Sequence, residues 1–161
     1  VLCDLAFRDF VLHTVGARAH ELCLEVTETA VIESPQAAIA AVSAFRQAGL
    51  AISIDDYGVG LSSLSYLKTL EADELKLDRS IATAVSTERD RLILRSTIEL
   101  AHSLNMKVVA EGVEDAAVEA VLLGLGCDLI QGYLVARAMP LAELKRFLTA
   151  AEPSPALAAA S

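Results

Sequence analysis

The chain has 161 residues, 54% of them hydrophobic and 22% charged, with a formal net charge of −9. This composition suits a well-packed domain rather than a disordered segment, and the acidity argues against an unaided nucleic-acid duplex or anionic membrane surface as partner. No apolar run approaches the roughly 20 residues that span a bilayer, and the opening residues carry no leader signature, so a cytoplasmic setting without direct membrane insertion is expected.

In chain order, residues 5–19 read as a helix and residues 21–26 as a strand. Ser34 followed by Pro35 is a helix start, a capping side chain with proline at the first helical position; this helix runs to about Ala48 and stops at Gly49. A second strand covers residues 51–55, and a Gly/Ser-rich loop with Gly58, Gly60, Ser62 and Ser63 leads into an apolar segment at residues 64–70. The third strand lies near Glu74–Leu77. Thr87 caps a long helix with Leu94, Ile98 and Ala101 on one face, ending at Asn105. Residues 107–111 form the fourth strand, residues 115–123 a helix ending near Gly124 and Gly126, residues 129–134 the fifth strand, and residues 141–150 the last helix. Residues 151–161 are Ala/Pro/Ser-biased and read as a flexible tail or linker after a domain at residues 1–150.

The three cysteines fit neither a zinc site nor a disulfide framework. Cys23 and Cys127 lie in or beside apolar runs and are expected to be buried thiols; Cys3 sits near the terminus. His13, His20 and His102 fall in helices, away from the strand ends, which disfavours histidine-based hydrolysis.

Those strand ends carry the chemistry. The apolar run at residues 50–54 breaks into Asp55 and Asp56 and then a loop with two glycines. Adjacent carboxylates repel, and desolvation at a strand end makes ionising both more costly. A packed core has no use for them, whereas a divalent cation on a phosphate-bearing substrate does. An acidic turn is the plainer alternative. Glu25 and Glu28, Lys76, and Glu111 and Glu114 lie at or near the ends of the neighbouring strands, which suggests one constellation. The alternation implies parallel β/α units with their chemistry at the C-terminal strand ends. No G-x-G-x-x-G follows the first strand, which removes the main support for a dinucleotide-binding sheet. The expected class is α/β, part of a (β/α)8 barrel, with about five of its units present, since a whole barrel takes roughly 250 residues.

Five stretches in order then resemble EAL-domain cyclic di-GMP phosphodiesterases. Residues 55–67 (DDYGVGLSSLSYL) are similar to DDFGTGYSSLSYL, residues 24–29 (LEVTET) to LEITES, and residues 75–80 (LKLDRS) to LKIDRSF without its final aromatic. Residues 108–114 (VVAEGVE) match outright, and residues 126–134 (GCDLIQGYL) are close to GCDLAQGYLFS. The resemblance implies that Glu25 and Asp55 bind catalytic Mg²⁺ or Mn²⁺, with Asp55 shared between two ions and Asp56 serving the second. It implies that Lys76 holds the attacking water, that Glu111 completes the acidic set, and that Glu28 supports the loop at residues 58–63. Gln131 would face substrate or a metal-bound water. Glu114 and Asp78 are the least specific, since either could be a solvated acid or an ion-pair partner; Lys76 and Gln131 could equally be an interior salt bridge and a capping partner.

The sequence departs from the pattern at Val59, where Thr or Ala is usual, and at residues 135–140 (VARAMP in place of FSRPMP). The strands bearing the Glu-Ala-Leu and Asn-x-Ser motifs are expected before Val1, so the chain as written should lack two metal ligands and be inactive by itself. The reading implied is metal-dependent hydrolysis of cyclic di-GMP to linear pGpG, in a protein attached to sensory domains and able to form a homodimer. Two alternatives stand beside it: an inactive EAL-type domain that binds cyclic di-GMP or a protein partner, and a metal-dependent barrel enzyme of enolate or aldol type with a basic Lys76.

Overall fold

The computed structural model describes residues 4–59 and 67–150; Cys3, most of the glycine-rich loop and the tail at residues 151–161 lie outside them. Five parallel strands form one sheet in sequential order: β1 (Cys23–Thr27), β2 (Ala51–Tyr57), β3 (Glu74–Leu77), β4 (Lys107–Ala110) and β5 (Leu129–Ile130). Around them lie α1 (Leu5–Val15), a 3₁₀ segment (Gly16–Glu21), α2 (Glu28–Glu33), α3 (Pro35–Gln47), α4 (Arg79–Ala82), α5 (Glu88–Ser103), α6 (Ala116–Gly124) and α7 (Leu141–Ala150).

Strand alternation divides the sheet into two chemically distinct faces. On one face Val26, Ile52, Ile54, Leu75, Leu77, Val108 and Ala110 are buried with helix residues Val42, Phe45, Leu94, Ile98 and Leu122 in one apolar core. Fully burying a side chain of this size contributes about 1.5–3 kcal/mol. The intervening positions include Glu25, Ser53, Asp55, Glu74 and Lys76, so the opposite face is polar.

One junction recurs three times. Two residues beyond α3, Gly49 has φ +94; the Gly49 N–H donates to Arg46 O at 2.8 Å and the Leu50 N–H to Phe45 O at 3.1 Å. Asn105 (φ +60) and Met106 repeat the pattern after α5, and Gly126 (φ +91) and Cys127 after α6. This is the Schellman arrangement, in which a left-handed residue reverses the chain and an apolar residue follows it. Leu50, Met106 and Cys127 are each buried, and each leads into the strand that follows.

Several expectations need correcting. The helix expected over residues 5–19 stops at Val15, because Gly16 leaves the helical region with φ +48, and a 3₁₀ segment follows. α2 and α4 are short helices that periodicity does not signal, each started by a capping side chain, Thr27 and Asp78. Cys23 is exposed, because it shares its face of edge strand β1 with Glu25 and Thr27 rather than with Leu24 and Val26. Cys127 is buried as expected. β5 ends at Ile130 rather than Leu134: a methyl group at Gly132 would lie 2.0 Å from Val113 O, and the chain turns there, with the Leu134 N–H donating to Val113 O at 3.1 Å.

Candidate metal centre

The C-terminal ends of β1, β2, β3 and the segment after β4 meet at Lys76. Its side chain is 7% exposed, and Nζ lies 2.7 Å from Glu25 Oε1, 3.0 Å from Asp55 Oδ1 and 2.7 Å from Glu111 Oε1. Burial disfavours the charged amine, but the carboxylates of Glu111 and Glu25 and the adjacent Asp55 carboxylate outweigh it and hold the lysine well above its ordinary range. Lys76 is therefore an ammonium ion at neutral pH, which counts against a neutral amine acting as base or Schiff-base former.

Asp55 and Asp56 reach the same place through a backbone irregularity. The register pairs Ile54 with Leu75 and Tyr57 with Leu77, so Asp55 and Asp56 together stand opposite Lys76 alone. Regular alternation would send the two carboxylates to opposite faces. The bulge, with Asp56 at φ +57, lets oxygens of Asp55, Asp56 and Glu111 lie within 4.8 Å of one another. Bulges re-aim side chains in this way, and a non-glycine residue in the left-handed region is costly enough to be noteworthy.

Four carboxylates (Glu25, Asp55, Asp56 and Glu111) thus gather around one ammonium group. One lysine cannot neutralise them. Asp55 Oδ1 is buried and, although 3.0 Å from Nζ, receives no well-directed hydrogen bond. An all-oxygen, carboxylate-rich set around a single ammonium fits a hard divalent cation such as Mg²⁺ or Mn²⁺ better than zinc.

The remaining candidates lie around this cluster. Glu28 is buried, and its Oε2 accepts the Gly58 N–H at 3.2 Å, tying α2 to the start of the glycine loop. Glu114 Oε1 accepts from Arg79 Nη1 at 2.8 Å. Gln131 uses its backbone, donating to Ala110 O at 2.8 Å and accepting from Val113 N–H at 3.1 Å. Asp78 caps α4 and is held below the usual carboxylate range by the Ser80 hydroxyl and amide. Arg79 escaped the sequence reading, since its partner is 35 residues away and no local pattern signals the pair.

A profile of the EAL domain family matches residues 3–138. The cyclic di-GMP phosphodiesterase NbdA of Pseudomonas aeruginosa is 44% identical over 140 residues, which is 86% of this chain and 18% of that protein. Among solved structures, the c-di-GMP complex of the PaMucR phosphodiesterase superposes with a TM-score of 0.82 at 36% identity, covering 89% of this chain and 65% of that one. The manganese/c-di-GMP complex of Klebsiella pneumoniae BlrP1 gives 0.76 at 30% identity, covering 83% and 35%.

Proposed function

This chain belongs to the EAL domain family, and we propose that it contributes the cation-binding acids and the lysine to the hydrolysis of cyclic di-GMP to linear pGpG. The observation that carries the reading is the convergence of Glu25, Asp55 and Glu111 on buried Lys76, with Asp56 turned into the same cluster. Glu25, Asp55 and Asp56 would hold Mg²⁺ or Mn²⁺, with Glu111 completing the acidic set. Such ions, when bound, lower the pKa of a water and offset charge on phosphodiester oxygens.

The chain's own residues have distinct tasks beside the cation. Lys76 carries a fixed positive charge at the centre of the cluster, where it can orient a water and balance developing negative charge. Glu111 and Glu25 fix that ammonium from two sides. Glu28 restrains the loop that follows Asp56 by accepting the Gly58 amide. Glu114, paired with Arg79, and Gln131, through its backbone bonds to Ala110 and Val113, support the segment after β4. The matched relatives are several times longer than this chain, the match spanning 18% of NbdA, which is compatible with sensory or signalling domains beside the catalytic one.

Incubating an intact domain that contains this segment with cyclic di-GMP and Mg²⁺ tests the reading. Linear pGpG is expected, with Asp55→Ala reducing turnover by at least about 100-fold. Full Mg²⁺-dependent hydrolysis by Asp55→Ala would refute the assignment, and binding without turnover would make the domain an effector instead.

A further inference from the structure

The ion pair between Arg79 and Glu114 stands next to the acidic cluster but outside it. Arg79 opens α4, directly beyond the strand that carries Lys76, and its Nη1 donates to Glu114 Oε1 at 2.8 Å. The stem of the same side chain lies across Gly112: a methyl group there would stand 2.6 Å from Arg79 Cγ, 2.7 Å from Cβ and 2.8 Å from Cδ. Gly112 has φ +66 and directly follows Glu111. The segment is also held by the Glu111–Lys76 ion pair, by the buried Val113 side chain and by backbone bonds, the Glu111 N–H to Leu77 O at 3.0 Å, the Val113 N–H to Gln131 O at 3.1 Å and the Leu134 N–H to Val113 O at 3.1 Å. To these Arg79 adds two contacts on the solvent side of residues 111–114, one apolar at Gly112 and one ionic at Glu114.

Stability alone is a poor reason for the pair. The two side chains are 60% and 43% exposed, and exposed ion pairs contribute little to folding. Such a pair can, however, restrict the orientation of a loop, and this loop begins with Glu111, whose Oε1 is 2.7 Å from Lys76 Nζ. Groups one step removed from an ion set how well its ligands are held, and losing one typically weakens metal binding 10–100-fold.

We infer that Arg79 is a positioning residue: through Gly112 and Glu114 it fixes the segment that presents Glu111 to Lys76 and to the acidic cluster. The inference rests on the reading of that cluster as a cation site of a phosphodiesterase.

The test uses an intact domain containing this segment, as wild type, Arg79→Ala and Arg79→Lys. Four quantities are measured: amide hydrogen exchange at Val113, Mg²⁺ affinity by calorimetry without nucleotide, kcat and KM for cyclic di-GMP, and the melting temperature. For Arg79→Ala, Val113 should exchange about tenfold faster, Mg²⁺ should bind about tenfold more weakly and kcat should fall similarly. KM should stay within about threefold, and the melting temperature within about 4 °C. Arg79→Lys keeps the stem over Gly112 and a cation for Glu114, so it should recover most of each loss. Unchanged Val113 exchange and Mg²⁺ affinity in Arg79→Ala would overturn the inference. So would a rise in KM alone, which would make the guanidinium a substrate contact. If wild type binds Mg²⁺ but opens no cyclic dinucleotide, the functional reading fails while exchange and Mg²⁺ titration still decide the role of Arg79. If wild type binds no Mg²⁺ either, exchange at Val113 decides it.

Discussion

At the residue scale, the centre of the molecule is Lys76, and two opposite demands meet there. As a buried cation it needs partners, and Glu25, Asp55 and Glu111 supply them; as a single ammonium facing four acids among the described residues it leaves them short of positive charge. Lys76→Ala should therefore act in two ways. Turnover should fall by roughly 100-fold or more with KM little changed, because a contact that matters in the transition state appears in kcat. Without divalent cation, the melting temperature should also drop, since removing one partner of a buried ionic group costs roughly 3–5 kcal/mol, and Mg²⁺ should recover part of the loss. Normal turnover in a stable variant would remove the lysine from the chemistry. The pH dependence has a definite sign. The folded pKa is raised, so the stabilisation is complete below the ordinary lysine value of about 10.4 and is lost only as pH rises through the folded value. Thermal melting of the metal-free domain should show no loss from this group between neutral pH and pH of about 10.

At the scale of elements, the bulge in β2 and the repeated helix-to-strand junctions determine where the acids stand. The junctions after α3 and α5 have a further parallel. Asp73, just before β3, accepts the Ile52 N–H at 2.8 Å and pairs with Arg46 near the end of α3. Asp128, just before β5, accepts the Val108 N–H at 2.7 Å and contacts His102 near the end of α5 at 2.8 Å. Each aspartate thus pins the second residue of one strand and the preceding helix to the start of the next strand. Asp128→Ala should leave the Val108 amide without its acceptor and cost about 1 kcal/mol, read as a lower melting temperature with cluster chemistry intact. An unchanged melting temperature would show that water replaces the carboxylate without loss. Much of this level was legible in the sequence: Ser34-Pro35, the Thr87 cap and Gly49 mark ends that the structure keeps within a residue or two. The pair Asp55-Asp56 was legible as a feature but not as a geometry, because alternation points neighbours to opposite faces and only the pairing with β3 reveals the bulge. Cys23 was misjudged for a related reason: an apolar neighbourhood in sequence does not say which face an edge strand turns to solvent. The grip of Arg79 on Gly112 and Glu114 left no sequence signal, since it depends on two strands being neighbours.

For the whole molecule, the sheet has one covered face and one polar face, and its outer strands are paired on one side each. Among the described residues β1 pairs with β2 alone and β5 with β4 alone, so each leaves a row of backbone donors and acceptors available to another chain. The helices at either end of the described chain add apolar surface: α1 and α7 contain no buried residue, and Leu5, Phe10, Leu141 and Leu148 are each more than 60% exposed. Open edges beside exposed apolar side chains favour association. A polypeptide of these 161 residues studied by itself is therefore expected to self-associate in light scattering rather than sediment as a monomer. It is also expected to leave cyclic di-GMP intact in Mg²⁺, because among the described residues Glu25 and Asp56 are exposed, so water reaches the acids that would hold the cation. A polypeptide in which β1 is given a strand neighbour should self-associate less, since the added pairing covers that edge. A 161-residue polypeptide that is monomeric, melts cooperatively and linearises cyclic di-GMP would show that the five-stranded sheet is sufficient and that this account of its edges is wrong.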